Sequence, residues 1–122
     1  MEERERVLEA LGRIRCGPAC AEEQLHEQVI CALTQAGLDA QHEVRLAPRC
    51  RIDVLCGQIG IEIKKSRPQR AALMRQLARY AACPQVRELV VVAPHGVDLP
   101  AQLGGKRVTM VGLERLWGIC LP

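Results

Sequence analysis

Two acidic residues and a lysine occupy neighbouring positions in a predicted β-hairpin. Residues 51–56 and 59–65 both alternate between apolar and polar side chains, and Gly57-Gln58 separates them. A two-residue loop is the shortest that commonly joins two antiparallel strands. With this loop, the cross-strand pairs are Cys56 with Ile59, Val54 with Ile61, and Asp53 with Glu62. The sequence therefore predicts two carboxylates directly opposite each other.

The period of two along a strand divides this hairpin into two faces. Its predicted apolar face consists of Ile52, Val54, Ile61 and Ile63. Asp53, Glu62 and Lys64 share the opposite face. Like charges opposed across a strand pair are destabilising, and local rules of this kind are broken mainly at functional sites. The alternative is a solvated outer face on which the lysine forms a salt bridge.

A divalent cation between the two carboxylates resolves the conflict of charge. Mg²⁺ binds through one or two carboxylates and keeps positions for water and for phosphate oxygens. Such an ion lowers the pKa of a bound water and stabilises the charge that develops on an attacked phosphate. Lys64 can orient or deprotonate that water, or neutralise the transition state. We therefore predict a Mg²⁺ or Mn²⁺ site at Asp53 and Glu62, with the backbone carbonyl of Ile63 as a further candidate ligand.

The elements around the hairpin are predicted from apolar periodicity and from Gly and Pro breaks. The predicted helices cover residues 2–15, 19–36 and 69–82, and a short last helix runs through Trp117. The other predicted strands cover residues 42–46, 88–93 and 107–111. Residues 97–106 are interpreted as a loop. This mixture and order of elements predicts an α/β protein.

The composition limits the classes of protein that fit. The chain has 122 residues, of which 48% are hydrophobic, which suits one compact domain. It contains no Phe, one Trp and one Tyr, which argues against aromatic base stacking as its main way of binding nucleic acid. No apolar stretch reaches the roughly 20 residues that span a bilayer, so no membrane association is expected.

The seven cysteines include no Cys-x-x-Cys pair, and the chain opens on a charged run rather than an apolar leader. We therefore expect reduced, buried cysteines in a cytoplasmic protein. The alternative is a metal site made by Cys16, Cys20 and His26, although their spacing differs from that of usual zinc sites.

The hairpin resembles the signature of a nuclease superfamily. Arg51-Ile-Asp-Val-Leu followed by Ile61-Glu-Ile-Lys-Lys is similar to the active-site hairpin of the PD-(D/E)xK phosphodiesterases, although Ile52 replaces the proline. The resemblance implies a restriction-endonuclease-like αβββαβ core, with a central mixed sheet flanked by helices and here an extra N-terminal helix. On this basis, residues 1–17 form the N-terminal helix and linker, and residues 18–122 form the nuclease domain.

Two further matches extend this resemblance. Gln76-x-x-x-Tyr80 is similar to an element on the helix after the lysine strand in the exonuclease and recombination branches of the superfamily. The resemblance implies that Gln76 and Tyr80, one helical turn apart, belong to the catalytic site; their alternative role is packing at a helix edge. Glu22 resembles a first-helix glutamate that several members contribute as an extra metal ligand, and Glu23, Glu27 and Glu43 are its alternatives. Glu22 can otherwise be an acid in the first helical turn that the helix dipole favours.

Positive charge is concentrated in the segment from Lys64 to Arg87, which has no acidic residue. Such charge beside a metal site suits a phosphate backbone, because phosphate contacts hold a nucleic acid without reading its sequence. The predicted nucleic-acid contacts are Lys65, Arg67, Arg70, Arg75 and Arg79. A solvated basic helix face is the alternative.

These observations together predict a metal-dependent nuclease that hydrolyses phosphodiester bonds in DNA. The resemblance is to archaeal Holliday junction resolvases and related repair, recombination, defence or mobile-element nucleases. A chain this small commonly needs a second copy to embrace a duplex, so we expect a homodimer. The alternatives are a non-catalytic nucleic-acid-binding or interaction module on the same fold, and an RNA-directed nuclease with the same residues.

Overall fold

The computed structural model describes residues 2–15 and 20–113, and within them the chain forms three helices and a six-stranded sheet. The helices are α1 (Glu3–Leu11), α2 (Glu22–Gln35) and α3 (Arg70–Ala81). The strands are β1 (Ala40–Ala47), β2 (Cys50–Cys56), β3 (Ile59–Ile63), β4 (Glu88–Ala93), β5 (Gln102–Leu103) and β6 (Lys106–Gly112). The predicted α/β class is confirmed. The predicted last helix through Trp117 lies outside the described residues.

The sheet is mixed, with the strand order β1-β2-β3-β4-β6-β5. β1, β2 and β3 are antiparallel neighbours, β3, β4 and β6 run parallel, and β5 is antiparallel to β6 at the edge. Helix α3 makes the crossover between the parallel strands β3 and β4. A strand inside such a sheet is buried on both faces, which explains the continuous apolar run from 89 to 93.

The predicted hairpin register is confirmed over three pairs. These pairs are Cys56–Ile59, Leu55–Gly60 and Val54–Ile61. Gly57 adopts a φ of 61° in the turn, a backbone conformation that glycine tolerates without a steric cost. The ladder between β2 and β3 ends before the predicted pair of Asp53 and Glu62, whereas β2 continues to pair with β1 as far as Cys50. The two strands therefore diverge beside the two acids.

Helices cover both faces of the sheet. One core lies under α1 and α2 and includes Val7, Leu11, Leu25, Val29, Leu33, Val54, Ile61 and Ile63. The other lies under α3 and includes Leu73, Leu77, Tyr80, Leu89 and Val91. α1 therefore shares one continuous core with α2 and the sheet.

The prediction for Ile52 is wrong. Ile52 lies in the core under α3, whereas its predicted companions Val54, Ile61 and Ile63 lie in the core under α1 and α2. Strict alternation is lost across Asp53, where β2 leaves β3. Gly60 makes room for the displaced side chain, because a Cβ atom at Gly60 would come 2.5 Å from Ile52 Cδ1.

The ends of several elements differ from the predictions. α1 ends at Leu11 because the next backbone N–H groups, of Arg13 and Ile14, bond three residues back. α3 begins at Arg70, and the side chain of Gln69 caps it by accepting the N–H of Ala72 at 2.7 Å. The predicted loop over 97–106 contains β5, which is too short to give an alternating pattern. In the described part of the chain, no helix is long and apolar enough to cross a membrane.

The cysteines depart from expectation at two positions. Cys50, Cys56 and Cys83 are buried free thiols, as expected. Cys31 is exposed instead, and Cys20 is disulfide-bonded. The prediction of burial is therefore wrong for Cys31, which is a free thiol as predicted, and the prediction of a reduced thiol is wrong for Cys20.

Candidate active site

Asp53 lies where β2 and β3 separate. Its Oδ2 accepts a hydrogen bond from the backbone N–H of Ile63 at 2.7 Å. The side chain thus replaces a ladder bond that β2 no longer makes with β3. The carboxylate is half-buried, and Oδ1 can accept another ligand because this bond engages Oδ2 alone.

Glu62 is the one polar or charged residue that is buried in the described part of the chain, with 3% of its surface exposed. Its Oε1 lies 2.9 Å from the hydroxyl of Tyr80. Its Oε2 lies 3.1 Å from Nζ of Lys64. A buried carboxylate needs such partners, because burying an unpaired charge costs on the order of several kcal/mol in lost hydration.

The environment of Glu62 makes it an unusual acid. Burial raises the pKa of its carboxyl to about 7, and the neighbouring charge of Asp53 raises it as well. The charge of Lys64 and the hydrogen bonds from Tyr80 and Lys64 lower this pKa. A cation bound between the two carboxylates favours the charged form. Without such a cation, Glu62 is therefore partly protonated at neutral pH.

Tyr80 connects Glu62 to β2. Its hydroxyl lies 2.9 Å from Glu62 Oε1 and 2.9 Å from the carbonyl oxygen of Arg51. A hydroxyl has one proton to donate and can also accept. When Glu62 is protonated, its O–H can donate to Tyr80 while Tyr80 donates to the Arg51 carbonyl. When Glu62 is ionised, Tyr80 donates to the carboxylate. Burial and the nearby Glu62 raise the pKa of Tyr80, so the phenol keeps its proton.

Lys64 follows the last residue of β3 and is held by the sheet. Its backbone N–H donates to the carbonyl of Val92 at 2.8 Å, which extends the pairing with β4. Its side chain is 30% exposed, against 5% for the side chain of Glu62. The ammonium group therefore bridges the buried carboxyl and the solvent side, from which a phosphate group can approach.

The donor set of Asp53 and Glu62 fits a hard divalent cation. Within the residues that the structure describes, no group of three His, Cys, Asp or Glu side chains could hold a metal ion. Mg²⁺ does not require three, because it is commonly held by one or two carboxylates together with water. The fit rests on the buried carboxyl of Glu62 beside a second carboxylate, an arrangement that a cation stabilises. The carbonyl of Ile63 is the remaining candidate ligand.

Glu22 does not join this pair in a three-acid group. It lies in the first turn of α2 and lines a separate cavity of about 790 Å³ between α2 and β1. Other residues that line this cavity include Glu27, Glu43, His26 and His42. His26 Nδ1 and His42 Nε2 are 2.9 Å apart. The structure thus groups Glu22 and its alternatives Glu23, Glu27 and Glu43 with a histidine pair.

A second cavity, of about 510 Å³, lies beside Tyr80, and we call it the arginine cavity. Its lining residues are Arg45, Arg49, Cys50, Arg51, Gln76, Arg79 and Tyr80. Gln76 and Tyr80 therefore share a wall of one cavity, as their spacing on a helix predicts. Sequence reasoning missed Arg45, Arg49 and Arg51. The sequence feature that could have identified them is the presence of three arginines within seven residues, on both sides of a turn.

The other predicted nucleic-acid contacts are spread over the surface near α3. Lys65, Arg67 and Arg75 are exposed. Arg70 is exposed as well, but its Nε donates to the carbonyl of Asp98 at 2.8 Å and so ties the start of α3 to the loop after β4. Arg79 is the predicted contact that lines the arginine cavity.

Comparison of the chain with protein-family models, with curated proteins and with solved structures finds no match.

Proposed function

We propose that this protein is a divalent-metal-dependent nuclease that hydrolyses phosphodiester bonds in DNA. One observation carries the proposal: Glu62 is buried next to Asp53, at the point where β2 and β3 diverge, with Lys64 Nζ 3.1 Å from its carboxylate. Two acids held together at a strand divergence repel each other, and a cation bound between them relieves this repulsion.

The finer fold assignment is part of the same proposal. We propose a restriction-endonuclease-like core made by α2, β1, β2, β3, α3 and β4, preceded by α1. The order of these elements supports it, as do the antiparallel β1-β2-β3 unit and the parallel β4. The PD-(D/E)xK-like sequence of the β2–β3 hairpin supports it independently of the topology. Fold alone does not determine function, so the site remains the basis of the functional proposal.

The cation would be held by Asp53 and Glu62, with the Ile63 carbonyl as a further ligand. When bound, Mg²⁺ or Mn²⁺ supplies a water of lowered pKa and stabilises charge on the attacked phosphate. The protein keeps Asp53 in place through the N–H of Ile63 and keeps Glu62 in place through Tyr80. The Tyr80 hydroxyl donates a hydrogen bond to the ionised carboxylate and so favours the charged form that binds a cation.

Lys64 has the proton-transfer and charge-stabilising role. Its ammonium group reaches from Glu62 toward solvent, where it can orient the attacking water or neutralise charge on the phosphate. The exposed basic residues Lys65, Arg67 and Arg75, together with Arg79, are placed to hold the phosphate backbone outside the acid pair.

Cleavage of linear, circular and branched DNA with Mg²⁺, with Mn²⁺ and with EDTA tests the proposal. We expect metal-dependent cutting that is abolished by Asp53→Ala and by Lys64→Ala, with circular dichroism spectra unchanged. Asp39→Ala is the matched control, since Asp39 is exposed in the loop before β1, and it should cut normally. Full activity in either site variant would mean that the acid pair is not the site.

The same assay separates the alternatives. Binding to DNA without cutting in any metal would identify a non-catalytic module, and cutting of matched RNA but not DNA would identify an RNA-directed nuclease. We propose a homodimer as the active form, and sedimentation of the protein with and without a DNA duplex measures this directly.

A further inference from the structure

The arginine cavity brings together charges from two separate parts of the chain. Arg45 lies on β1, Arg49 lies in the turn after it, and Arg51 lies on β2. Arg79 comes from the last turn of α3, nearly thirty residues later in the sequence. Only the packing of α3 on the β1–β2 hairpin makes these four guanidinium groups neighbours around one space of about 510 Å³.

The lining of the cavity is strongly basic. No acidic residue lines the cavity. Within residues 2–15 and 20–113, the ion pairs of arginine involve Arg4, Arg13 and Arg107 and none of the four cavity arginines. Unpaired guanidinium groups around a concave space repel one another and attract an anion. Their planar donor forks suit phosphate oxygens in particular.

The backbone at Arg49 adds an independent observation. Pro48 and Arg49 form the turn between Ala47 and Cys50, which pair with each other. Arg49 adopts a φ of 61°, a left-handed conformation that glycine adopts far more readily than other residues. Strained residues of this kind cluster at ligand clamps, among other functional places. Here the residue with this backbone conformation is one of the arginines that line the cavity.

The cavity adjoins the acid pair through one residue. Tyr80 lines the cavity, and its hydroxyl bonds both Glu62 Oε1 and the carbonyl of Arg51. Arg51 is thus a lining residue of the cavity and also a neighbour of the carboxyl site. Tyr80 and Arg51 therefore connect the cavity to the carboxyl site.

We propose that the arginine cavity binds the terminal phosphomonoester of a nucleic-acid strand. A phosphodiester within a strand carries a single negative charge, whereas a phosphomonoester carries about 1.5 to 2 at neutral pH. Four unbalanced arginines match the larger charge better. A terminal phosphate bound there leaves the rest of the strand free to run along the exposed basic residues of α3. The inference rests on the proposed function in taking a nucleic-acid strand as the substrate.

Binding without cleavage tests this directly. The probes are fluorescent single-stranded oligonucleotides of one sequence with a 5′-phosphate, with a 3′-phosphate or with hydroxyls at both ends, and fluorescence anisotropy is measured in EDTA. We expect one phosphorylated end to bind about tenfold more tightly than the hydroxyl-ended strand, because several charge-assisted hydrogen bonds are added. Inorganic phosphate should reduce this difference in affinity, because it competes for the cavity.

Variants locate the effect in the cavity. Arg49→Ala and Arg45→Ala should each remove most of the preference for a phosphate end and lower the salt dependence of binding, by about 0.7 in the log–log slope per lost phosphate contact. Arg49→Lys should keep part of the preference. Arg107→Ala is the matched control, because Arg107 is an exposed arginine on β6, paired with Glu88. It should keep the full preference.

Equal affinity for the three oligonucleotides, or no binding to any of them, overturns the inference. An equal loss of the preference in Arg107→Ala also overturns it, since general positive charge then explains the effect. The proposed function fails in a different assay. Metal-dependent cleavage without any end preference removes the cavity inference alone, and an end preference without cleavage removes the nuclease proposal alone.

Discussion

Replacing Glu62 with glutamine changes how the stability of this fold depends on pH. The carboxyl of Glu62 has a pKa raised to about 7, mainly by burial. An acid with a raised pKa in the folded state binds its proton more tightly there than in the unfolded chain, where the ordinary value of 4.5 applies. Its stabilising contribution is therefore present below about pH 4.5 and is lost as the pH rises through about 7.

The size of the effect follows from the two pKa values. The difference between the two pKa values corresponds to about 3 kcal/mol, and most of this falls between pH 5 and pH 8. Glutamine does not titrate, so Glu62→Gln lacks this loss. We expect the free energy of unfolding of the wild type, relative to the variant, to fall by about 2 to 3 kcal/mol over this range.

Urea unfolding in EDTA at a series of pH values measures the unfolding free energy of the wild type and of Glu62→Gln. The difference between the two values at each pH isolates the effect of Glu62 from that of the other titrating groups. Mg²⁺ added at pH 8 should stabilise the wild type and leave the variant unchanged, because ligand binding to the folded state adds stability. If the difference in unfolding free energy between wild type and variant changes by less than about 1 kcal/mol between pH 5 and pH 8, the pKa of the buried Glu62 is not raised.

Three further variants probe the surroundings. Tyr80→Phe removes the hydrogen bond that lowers the pKa of Glu62, so the pH at which metal-free stability is lost should move upward in the same urea series; a downward shift would contradict this. Leu77→Ala, at a position with no exposed surface, should cost about 2–5 kcal/mol in unfolding free energy, and a loss below about 1 kcal/mol would show that the α3 core is loosely packed. Gly57 has a φ of 61° and lies against the side chain of Glu3, so Gly57→Ala should lower the free energy of unfolding by about 1 kcal/mol or more. The melting temperature of this variant should rise when Glu3→Ala is added. An unchanged penalty in the double variant would leave backbone strain as the whole cause.

The sequence by itself determined the local framework of the site. Alternation with a period of two and a two-residue loop predicted the pairs Val54–Ile61 and Cys56–Ile59, which the structure confirms. Apolar periodicity also predicted the α/β class and the bounds of β4. It predicted the bounds of α3 to within one residue at each end. These features depend on neighbours in the chain, so periodicity and turn residues are enough to predict them.

The tertiary structure decided the properties that depend on distant neighbours. Alternation placed Ile52 with Val54, but the divergence of β2 from β3 moved it to the opposite core. The pKa of Glu62 depends on burial by the sheet and α3, which no local pattern reports. Sequence spacing likewise paired Gln76 with Tyr80, but it did not show that the Tyr80 hydroxyl joins Glu62 to the backbone of Arg51.

The arginine cavity combines residues that the sequence shows with a placement that only the tertiary structure decides. Arg45, Arg49 and Arg51 are evident in the sequence as basic residues near a turn, and Arg79 as one on a helix. Their common cavity exists because α3 packs its apolar face on the sheet and brings its last turn against the β1–β2 hairpin. Periodicity predicts which face of an element is apolar, whereas the contact between two elements decides which polar groups at their edges meet.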